Sequence, residues 1–229
     1  MILRRGTKAR PAKALPEYLE SVLGGWRRKG RRVYRICGII EQGIAFSPCR
    51  SLTELWDVDN YIKVLGVPGP VMGFDICHPL CRPSGAPWSI GPEDRENRQK
   101  KILRMLQKGA PVGYGAVLDE EKVGKLFSDM GNPPEVACSY AAVLAYANQW
   151  DDFEELTCAF LKDCADRQRR QPSINSKRVA YINALRLCHM DGVAGSWLER
   201  NAECHRELID RGGPSSKLSS FDWASLSPP

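Results

Sequence analysis

The sequence predicts a mainly helical chain that has a basic N-terminal arm, an irregular Gly- and Pro-rich middle segment, and helical hairpins in its C-terminal half. Apolar residues recur at spacings of three and four along most of the chain, which is the pattern of a buried helix face. Between residues 66 and 92, 11 of 27 residues are Gly or Pro, too many for a regular element. The first 35 residues contain 11 Lys or Arg.

Positive charge is concentrated in this arm. Glu17 and Glu20 are its only acidic residues, so residues 1–35 carry a balance of +9 and the other 194 residues sum to −3. A basic arm on a nearly neutral body is typical of a protein that contacts a polyanion, most commonly nucleic acid. The predicted nucleic-acid-binding residues of the arm are Arg4, Arg5, Lys8, Arg10, Lys13, Arg27, Arg28, Lys29, Arg31, Arg32 and Arg35.

A targeting peptide is the alternative interpretation of the arm. Its first 14 residues contain basic side chains and no acid, as mitochondrial presequences do. The two interpretations are compatible, because an uncleaved address can also bind a polyanion. No secretory signal is expected, since the N-terminus has charge without an apolar segment.

The elements of the N-terminal half are each predicted to be helical. A short helix is expected over residues 16–23, because Leu15, Leu19 and Leu23 share a face and Gly24 follows. The next segment, WRRKGRRVYRICGIIEQGIAF, is interpreted as a second helix rather than a strand, with its Trp and Tyr rings stacking or packing.

A third helix is predicted for SLTELWDVDNYIKVLG, where Ser51 is the N-cap and Glu54 completes a capping box. The segment that follows is expected to be a long ordered loop or a boundary between two halves. The predicted organisation is an arm with one short helix (1–35), a helical segment (36–65), a Gly- and Pro-rich loop (66–92), a helical-repeat domain (93–211) and a Ser- and Pro-rich tail (212–229).

The C-terminal half contains several helix patterns in succession. One helix is expected in SIGPEDRENRQKKILRMLQKG, where acidic residues complement the positive helix start, and another in LDEEKVGKLFSDMG. Two further pairs of helices follow, and Phe221 and Trp223 in the tail are expected to anchor the tail on a surface. The side chains predicted to be buried in the hairpins are Tyr140, Leu144, Phe153, Leu156, Tyr181, Leu185 and Trp197.

The two hairpins can be aligned as a repeat. Laying ACSYAAVLAYANQWDDFEEL over RVAYINALRLCHMDGVAGSWL places Tyr140 on Tyr181 and Leu144 on Leu185, an offset of 41 residues. A partial unit precedes them in KVGKLFSDMGNPP. An ordinary helical bundle with hairpins that are alike by chance is the alternative.

The form of this unit resembles the pentatricopeptide-repeat family over about residues 117–210. The residues that carry the resemblance are Leu126, Phe127, Met130 and Pro134, followed by Tyr140 near the start of a helix. The chain departs from the family in its longer period, and the polar insertion DRQRRQPSINS accounts for the extra residues.

The resemblance implies a role in RNA binding. In that family the fifth residue of the first helix of each unit faces an RNA base, and the matching positions here are Ala142 and Asn183. Alanine offers no polar edge, so the resemblance implies at most one base contact, through Asn183. RNA binding is therefore expected to be mostly electrostatic or driven by RNA shape.

No pattern for catalysis, cofactor binding or membrane insertion is found. The CHPLC segment brings Cys77, His78 and Cys81 together, but no fourth zinc ligand follows at the usual spacing. We expect no metal, no cofactor, no small-molecule substrate and no enzyme activity. The nine cysteines are predicted to be reduced and mostly buried. No run of 18 apolar residues is present, so membrane insertion is not expected.

These expectations favour a non-catalytic structural component of a large ribonucleoprotein, most plausibly a mitochondrial ribosome in the matrix. The basic arm would bind rRNA, and the helical repeats would bind neighbouring ribosomal proteins. Two alternatives stay open at this point. In the first alternative, the chain is a repeat-type factor for RNA processing or stability. In the second, it is a supernumerary subunit of a respiratory complex, and its arm faces anionic lipid or acidic protein.

Overall fold

The described part of the chain forms six strands and seven helices. The computed structural model describes residues 14–48, 56–70, 73–80, 89–90, 97–109, 118–130, 136–168, 176–211 and 221. The chain divides into two compact units, which are described separately. The sheet unit comprises Met1–Ile36, Gln42–Ile62 and Ile76–Val117, and the helical unit comprises Cys37–Glu41, Lys63–Asp75 and Leu118–Pro229.

The elements follow in the order α1, β1 to β6, then α2 to α7. The strands are β1 (Arg27–Lys29), β2 (Arg32–Cys37), β3 (Ile40–Pro48), β4 (Trp56–Val64), β5 (Ile76–Pro79) and β6 (Ser89–Ile90). The helices are α1 (Ala14–Val22), α2 (Arg98–Gly109), α3 (Glu120–Asp129), α4 (Ala137–Tyr146), α5 (Trp150–Gln168), α6 (Ser176–Met190) and α7 (Ala194–Arg211).

The strands form one sheet in the order β1-β2-β3-β4-β5, with β6 also paired with β4. Two-residue turns join β1 to β2 and β2 to β3. Gly30 and Gly38 take the first position of these turns at φ +59° and +53°, values that favour glycine. At the centre of the sheet the Tyr61 ring covers Gly43, where an added Cβ would lie 2.3 Å from ring atoms.

This sheet shows that the prediction of a mainly helical chain is wrong. The segment interpreted as a second helix forms β1, β2 and β3, because Gly30 and Gly38 create hairpin turns and its β-branched and aromatic residues favour strands. The segment interpreted as a third helix contains β4, in which Val58, Ile62 and Val64 recur at even spacing. Ser51 and Glu54 lie outside the described residues.

The Gly- and Pro-rich middle segment also contains regular structure. Residues 76–79 form β5, which pairs antiparallel with β4 from Asp59↔Pro79 to Ile62↔Ile76. Residues 89–90 form β6, antiparallel to the start of β4. A segment rich in Gly and Pro therefore supplies one side of the sheet, because short edge strands tolerate these residues.

The core of the sheet unit lies between the sheet and helices α1 and α2. Each helix supplies a narrow apolar face: Leu19 and Leu23 come from the first helix and the residue that follows it, and Ile102 and Leu106 come from the second. The buried cluster consists of Leu19, Leu23, Trp26, Val33, Ile44, Phe46, Val58, Leu80, Ile102 and Leu106.

Helix α4 is the centre of the helical unit. All nine residues from Ala137 to Ala145 are buried, and the helix packs against α3, α5, α6 and α7. These helices belong to the hairpin that contains α4 and to the units directly before and after it. Six of the seven side chains predicted to be buried in the hairpins are buried, and Leu156 is partly exposed.

The two hairpin turns are built identically, but with a different register from the sequence alignment. In the first turn Asn148 and Gln149 donate their N–H groups to Ala145 and Leu144. Gly192 and Val193 donate to His189 and Cys188 in the second. Asn148 and Gly192 have φ values of 59° and 71°, as the residue that closes a Schellman motif requires.

This equivalence corrects the offset from 41 residues to 44. Asn183 corresponds to Ser139 rather than to Ala142, and Trp197 corresponds to Phe153. Tyr140 stacks on Phe127 of the preceding helix, whereas Tyr181 packs on Trp197 of the following one. An alignment error of three residues is close to one helical turn, so hydrophobic periodicity alone does not reveal it.

A buried polar network holds residues 63–75 on the bundle. The Asp75 carboxylate accepts hydrogen bonds from Ser139 Oγ at 2.5 Å and from the Val64 N–H at 2.6 Å. The Lys63 ammonium is buried and donates to the carbonyl oxygens of Pro70 and Gly73 at 3.1 and 2.9 Å. Burial raises the pKa of Asp75. The hydrogen bonds from Ser139 and Val64 and the positive charge of Lys63 oppose this rise.

A second attachment joins the same segment to α7. The Gly66 N–H donates to His205 Nδ1 at 3.0 Å, so this ring nitrogen carries no proton. Phe221 stacks on His205 with the rings 4.7 Å apart, and its N–H donates to the Gly69 carbonyl oxygen. The contact predicted for Phe221 is therefore confirmed, whereas Trp223 lies outside the described residues. A Cβ at Gly66 would lie 2.7 Å from Asn201 Cβ.

Asp75 makes the stability of the fold depend on pH in a defined direction. Its folded pKa is raised, so the folded state keeps a proton that the unfolded state has lost, and stability falls as pH rises from about 4 toward the folded pKa. We expect Asp75→Asn to remove this fall. Urea unfolding at several pH values should show the variant gaining stability relative to the wild type as pH rises.

The exposed Asp129 provides the matched control, because Asp129→Asn removes an equivalent charge without a buried carboxylate. The loss of the counter-charge to Lys63 in Asp75→Asn shifts stability by a constant amount over this range, so only the slope is diagnostic. A stability difference between Asp75→Asn and the wild type that does not change with pH would contradict the account.

Candidate nucleic-acid interface

The β1–β2 hairpin sorts the basic residues of the N-terminal region onto two faces. Its register pairs Arg27 with Tyr34 and Lys29 with Arg32, so these four side chains share one face. Arg28 pairs with Val33 on the opposite face, toward the apolar core. The alternation of the strand therefore separates Arg28 from the other cations.

Arg28 is held by the helix that precedes the hairpin. Its guanidinium lies 3.5 Å from a Glu17 oxygen and 3.4 Å from a Glu20 oxygen. Glu20 also accepts the backbone N–H of Arg28 at 3.0 Å, which occupies a donor on the outer edge of the sheet. The charge of Arg28 is thus matched inside the unit, and its role is to fix α1 to the hairpin.

Two other arginines lie over aromatic rings. The Arg35 guanidinium is 5.1 Å from the centre of the Trp26 ring and donates to Gln42 Oε1 at 3.0 and 2.7 Å. The Arg32 guanidinium is 5.6 Å from the centre of the Tyr61 ring. Both arginines are partly buried. These contacts orient the cations and reduce the number of their donors that point to solvent.

The tip of the hairpin carries the accessible cations. Arg27 and Arg31 are exposed and Lys29 is partly exposed, with Gly30 between them at the turn. The rings expected to stack or pack in this region, Trp26 and Tyr34, are both buried. The hairpin therefore offers charge to a ligand and no aromatic stacking platform.

Helix α2 adds a basic surface that the sequence interpretation did not assign. The helix begins at Arg98, after the acidic residues that were expected to occupy its first turn, and contains no Asp or Glu. Ile102 and Leu106 hold it in the core beside α1, while Lys100 and Arg104 are exposed. A helical wheel of residues 98–109 is the signal that finds this surface. The basic residues in the sequence of the helix are Arg98, Lys100, Lys101, Arg104 and Lys108.

Charge is divided between the two structural units. The sheet unit contains 19 Lys or Arg and 8 Asp or Glu, a net charge of +11. The helical unit contains 14 Lys or Arg and 19 Asp or Glu, a net charge of −5. The N-terminal excess of the sequence is thus part of a larger basic unit that includes α2.

The remaining predicted site residues lie elsewhere. Asn183 is exposed on α6 in the acidic unit, and Ala142 is fully buried in α4. Ala142 therefore has no access to an RNA base. The five predicted residues nearest the N-terminus lie outside the described residues. They are Arg4, Arg5, Lys8, Arg10 and Lys13.

The strand β5 separates the two candidate metal ligands that it contains. Cys77 and His78 are successive residues of a strand and point to opposite faces of the sheet. Cys81 lies outside the described residues. Within the described segments, no three His, Cys, Asp or Glu side chains form a group that could hold a metal ion.

Cys77 lies near a carboxylate on the adjacent strand. Partial desolvation of this otherwise exposed side chain, together with the negative charge of Asp59, raises the pKa of Cys77 to about 11, although Arg32 opposes the rise. Burial and the neighbouring Asp57 in turn raise the pKa of Asp59. A neutral thiol is a poor nucleophile and a poor metal ligand, so the electrostatics of this face do not support thiolate chemistry.

The described cysteines are less buried than predicted. All seven that lie in described residues are free, but only three of them are buried, so the expectation that most are buried is wrong for this set. The buried ones are Cys138, Cys164 and Cys188; Cys37 and Cys204 are intermediate; Cys77 and Cys158 are exposed.

No protein-family model, curated protein or solved structure matches this chain. Function is therefore inferred from the charge and geometry of its own residues. None of the described helices is both long enough and apolar enough to span a bilayer.

The raised pKa of Cys77 predicts slow alkylation at neutral pH. The thiolate is the reacting form, so the rate should increase about tenfold per pH unit between about pH 7 and pH 9. Treatment with iodoacetamide followed by peptide mass spectrometry measures this rate for Cys77 alone. A rate that levels off below pH 9 would show that the thiol ionises more easily than its surroundings imply.

Proposed function

We propose that the chain binds structured RNA through its sheet unit, as a non-catalytic component of a ribonucleoprotein. The observation that carries the proposal is the division of charge, +11 on the sheet unit against −5 on the helical unit. A polyanion is attracted to the first unit and repelled by the second, so the charge selects one surface for binding.

The hairpin tip and α2 are the proposed contact elements. Arg27, Lys29 and Arg31 neutralise phosphates at the tip, and Lys100 and Arg104 do so on the helix. The preceding helix α1 contacts both β1 and α2, which gives the two basic elements a common support. Phosphate contacts at fixed positions recognise the shape of a folded RNA rather than its sequence.

The buried rings favour structured RNA over single strands. Proteins that bind single strands without sequence preference stack bases on exposed aromatic side chains. Trp26, Tyr34 and Tyr61 are all buried, so they do not serve as such a platform. A factor that reads RNA bases through its repeats is also disfavoured, because Ala142, one of the two positions expected to face a base, is buried.

The wider assembly is part of the proposal. The acidic helical unit would contact neighbouring proteins, as expected for a ribosomal subunit, and the mitochondrial ribosome is the assembly that the N-terminal basic arm favours. Membership in a respiratory complex is the remaining alternative. In that case the basic sheet unit would face anionic lipid or acidic protein instead of RNA.

Removing the cations of the hairpin tip tests the proposal. The triple variant Arg27→Ala, Lys29→Ala, Arg31→Ala should lose about three phosphate contacts and reduce the slope of log affinity against log salt by about 2 to 3 units. Folding should be largely unaffected, because Arg27 and Arg31 are exposed and Lys29 is partly exposed on a short hairpin at the edge of the sheet. Fluorescence anisotropy with a labelled RNA hairpin at several salt concentrations measures the slope.

Equal charge removed from the helical unit provides the control. The variant Lys125→Ala, Lys162→Ala, Arg211→Ala changes three exposed cations outside the proposed surface and should leave the slope unchanged. The same loss of slope in both triple variants would mean that net charge alone determines binding, which contradicts a specific surface. Equal affinity for anionic vesicles and RNA would favour the respiratory-complex alternative.

A further inference from the structure

Helix α6 presents an exposed stripe that its own fold does not use. Ala180, Asn183, Leu187 and Met190 are all exposed and follow one another at spacings of three, four and three residues. Leu187 is 55% exposed and Met190 is 79% exposed, the highest values among the large apolar side chains of the described residues. The stripe is therefore an apolar surface in addition to the face that packs inside the bundle.

The spacing of the stripe is that of a helix-pairing seam. Residues alternating three and four apart remain on one side of a helix and meet a second helix along its length. The opposite side of α6, with Tyr181, Leu185 and Cys188, is fully buried in the bundle. A polar Asn within such a seam is known to fix register. Asn183 occupies this position.

Charges at the two ends of α6 oppose the helix dipole. The first turn contains Lys177 and Arg178 and no acidic residue, and Asp191 follows the last turn. Trp150 stacks on His189 with ring centres 3.5 Å apart, which brings the acidic start of α5 to the same end. Positive charge at a helix start and negative charge at its end are unfavourable for the isolated helix.

We propose that this stripe pairs with the same stripe of a second copy of the chain, with the two α6 helices antiparallel. The positive end of one helix then faces the negative end of the other. Lys177 of one copy lies beside Met190 and Asp191 of the second copy. Charges that are unfavourable in one chain become complementary between two chains. Each contact occurs twice, as in any twofold interface.

The side chains of the stripe are self-complementary in this arrangement. The midpoint between residues 177 and 190 falls beside Asn183, so the twofold axis passes there and the two Asn183 amides can hydrogen-bond to each other. The same geometry places Ala180 opposite Leu187, a small side chain against a large one. Interdigitation of small and large residues is what close helix packing requires.

The charge pattern selects a second copy over other occupants. A nucleic acid would be attracted by Lys177 and Arg178 at one end of the stripe and repelled by Asp191 at the other. A partner helix of one charge sign would be attracted at one end and repelled at the other. An inverted copy of the stripe matches both ends at once.

Self-association of the full chain tests the proposal. Sedimentation of nuclease-treated protein should show a monomer–dimer equilibrium that depends on concentration, and Leu187→Glu should weaken the dimer at least about tenfold. Leu187 is exposed, so the variant should fold, and circular dichroism verifies this. Leu208→Glu, which introduces the same charge at an exposed apolar position on α7, should leave the dimer unchanged.

Charge reversal tests the antiparallel orientation. Lys177→Glu and Asp191→Lys should each weaken the dimer, and the two changes combined should restore it, because reversed charges attract again across the twofold axis. Both changes suit the helix dipole, so neither should harm folding. A chain that remains monomeric at about 1 mM, an unchanged dimer in Leu187→Glu, or a double variant without recovery would each overturn the proposal.

Discussion

Helix α4 has no face exposed to solvent, and the organisation of the helical unit follows from this constraint. A ten-residue helix that is buried on all sides needs neighbours all round, and α3, α5, α6 and α7 supply them. The hydroxyl of Ser139 on this helix donates to Asp75. His205 on α7 accepts the N–H of Gly66, which lies in the same loop as Asp75. Val64, Gly66 and Asp75 are thus part of the packing of the helical unit, because their buried polar groups are hydrogen-bonded there.

The division of charge connects this architecture to function. The helical unit has an excess of acidic residues, whereas in the described part of the sheet unit Arg27, Lys29 and Arg31 lie near a hairpin turn and Lys100 and Arg104 lie on a helix that contains no acid. Within the sheet unit not every cation is equivalent. Arg28 is neutralised by Glu17 and Glu20, and Arg35 is held against Trp26, so they shape the surface that Arg27 and Arg31 present.

The sequence predicted the helices and the basic region better than the sheet. Helical periodicity is strong in α4 to α7, and the predicted core residues were mostly correct because each lies on a face that repeats over several turns. The first three strands were missed because Ile39 to Phe46 are all buried, including the polar Glu41 and Gln42, so the sequence lacks the alternation that identifies a half-buried strand. At the candidate RNA-binding surface, the composition of the sequence identified the cations. The ion pairs of Arg28 with Glu17 and Glu20 could not be predicted in this way, because they depend on the strand register and on the position of α1.

The most direct test of the central claim is to locate RNA on the intact chain. Ultraviolet cross-linking of a structured RNA to the full-length protein, followed by mass spectrometry of the cross-linked peptides, assigns each contact to one of the two units. The account predicts cross-links in the peptides that contain residues 27–35 and 98–109. Cross-links concentrated between residues 118 and 211 would contradict it.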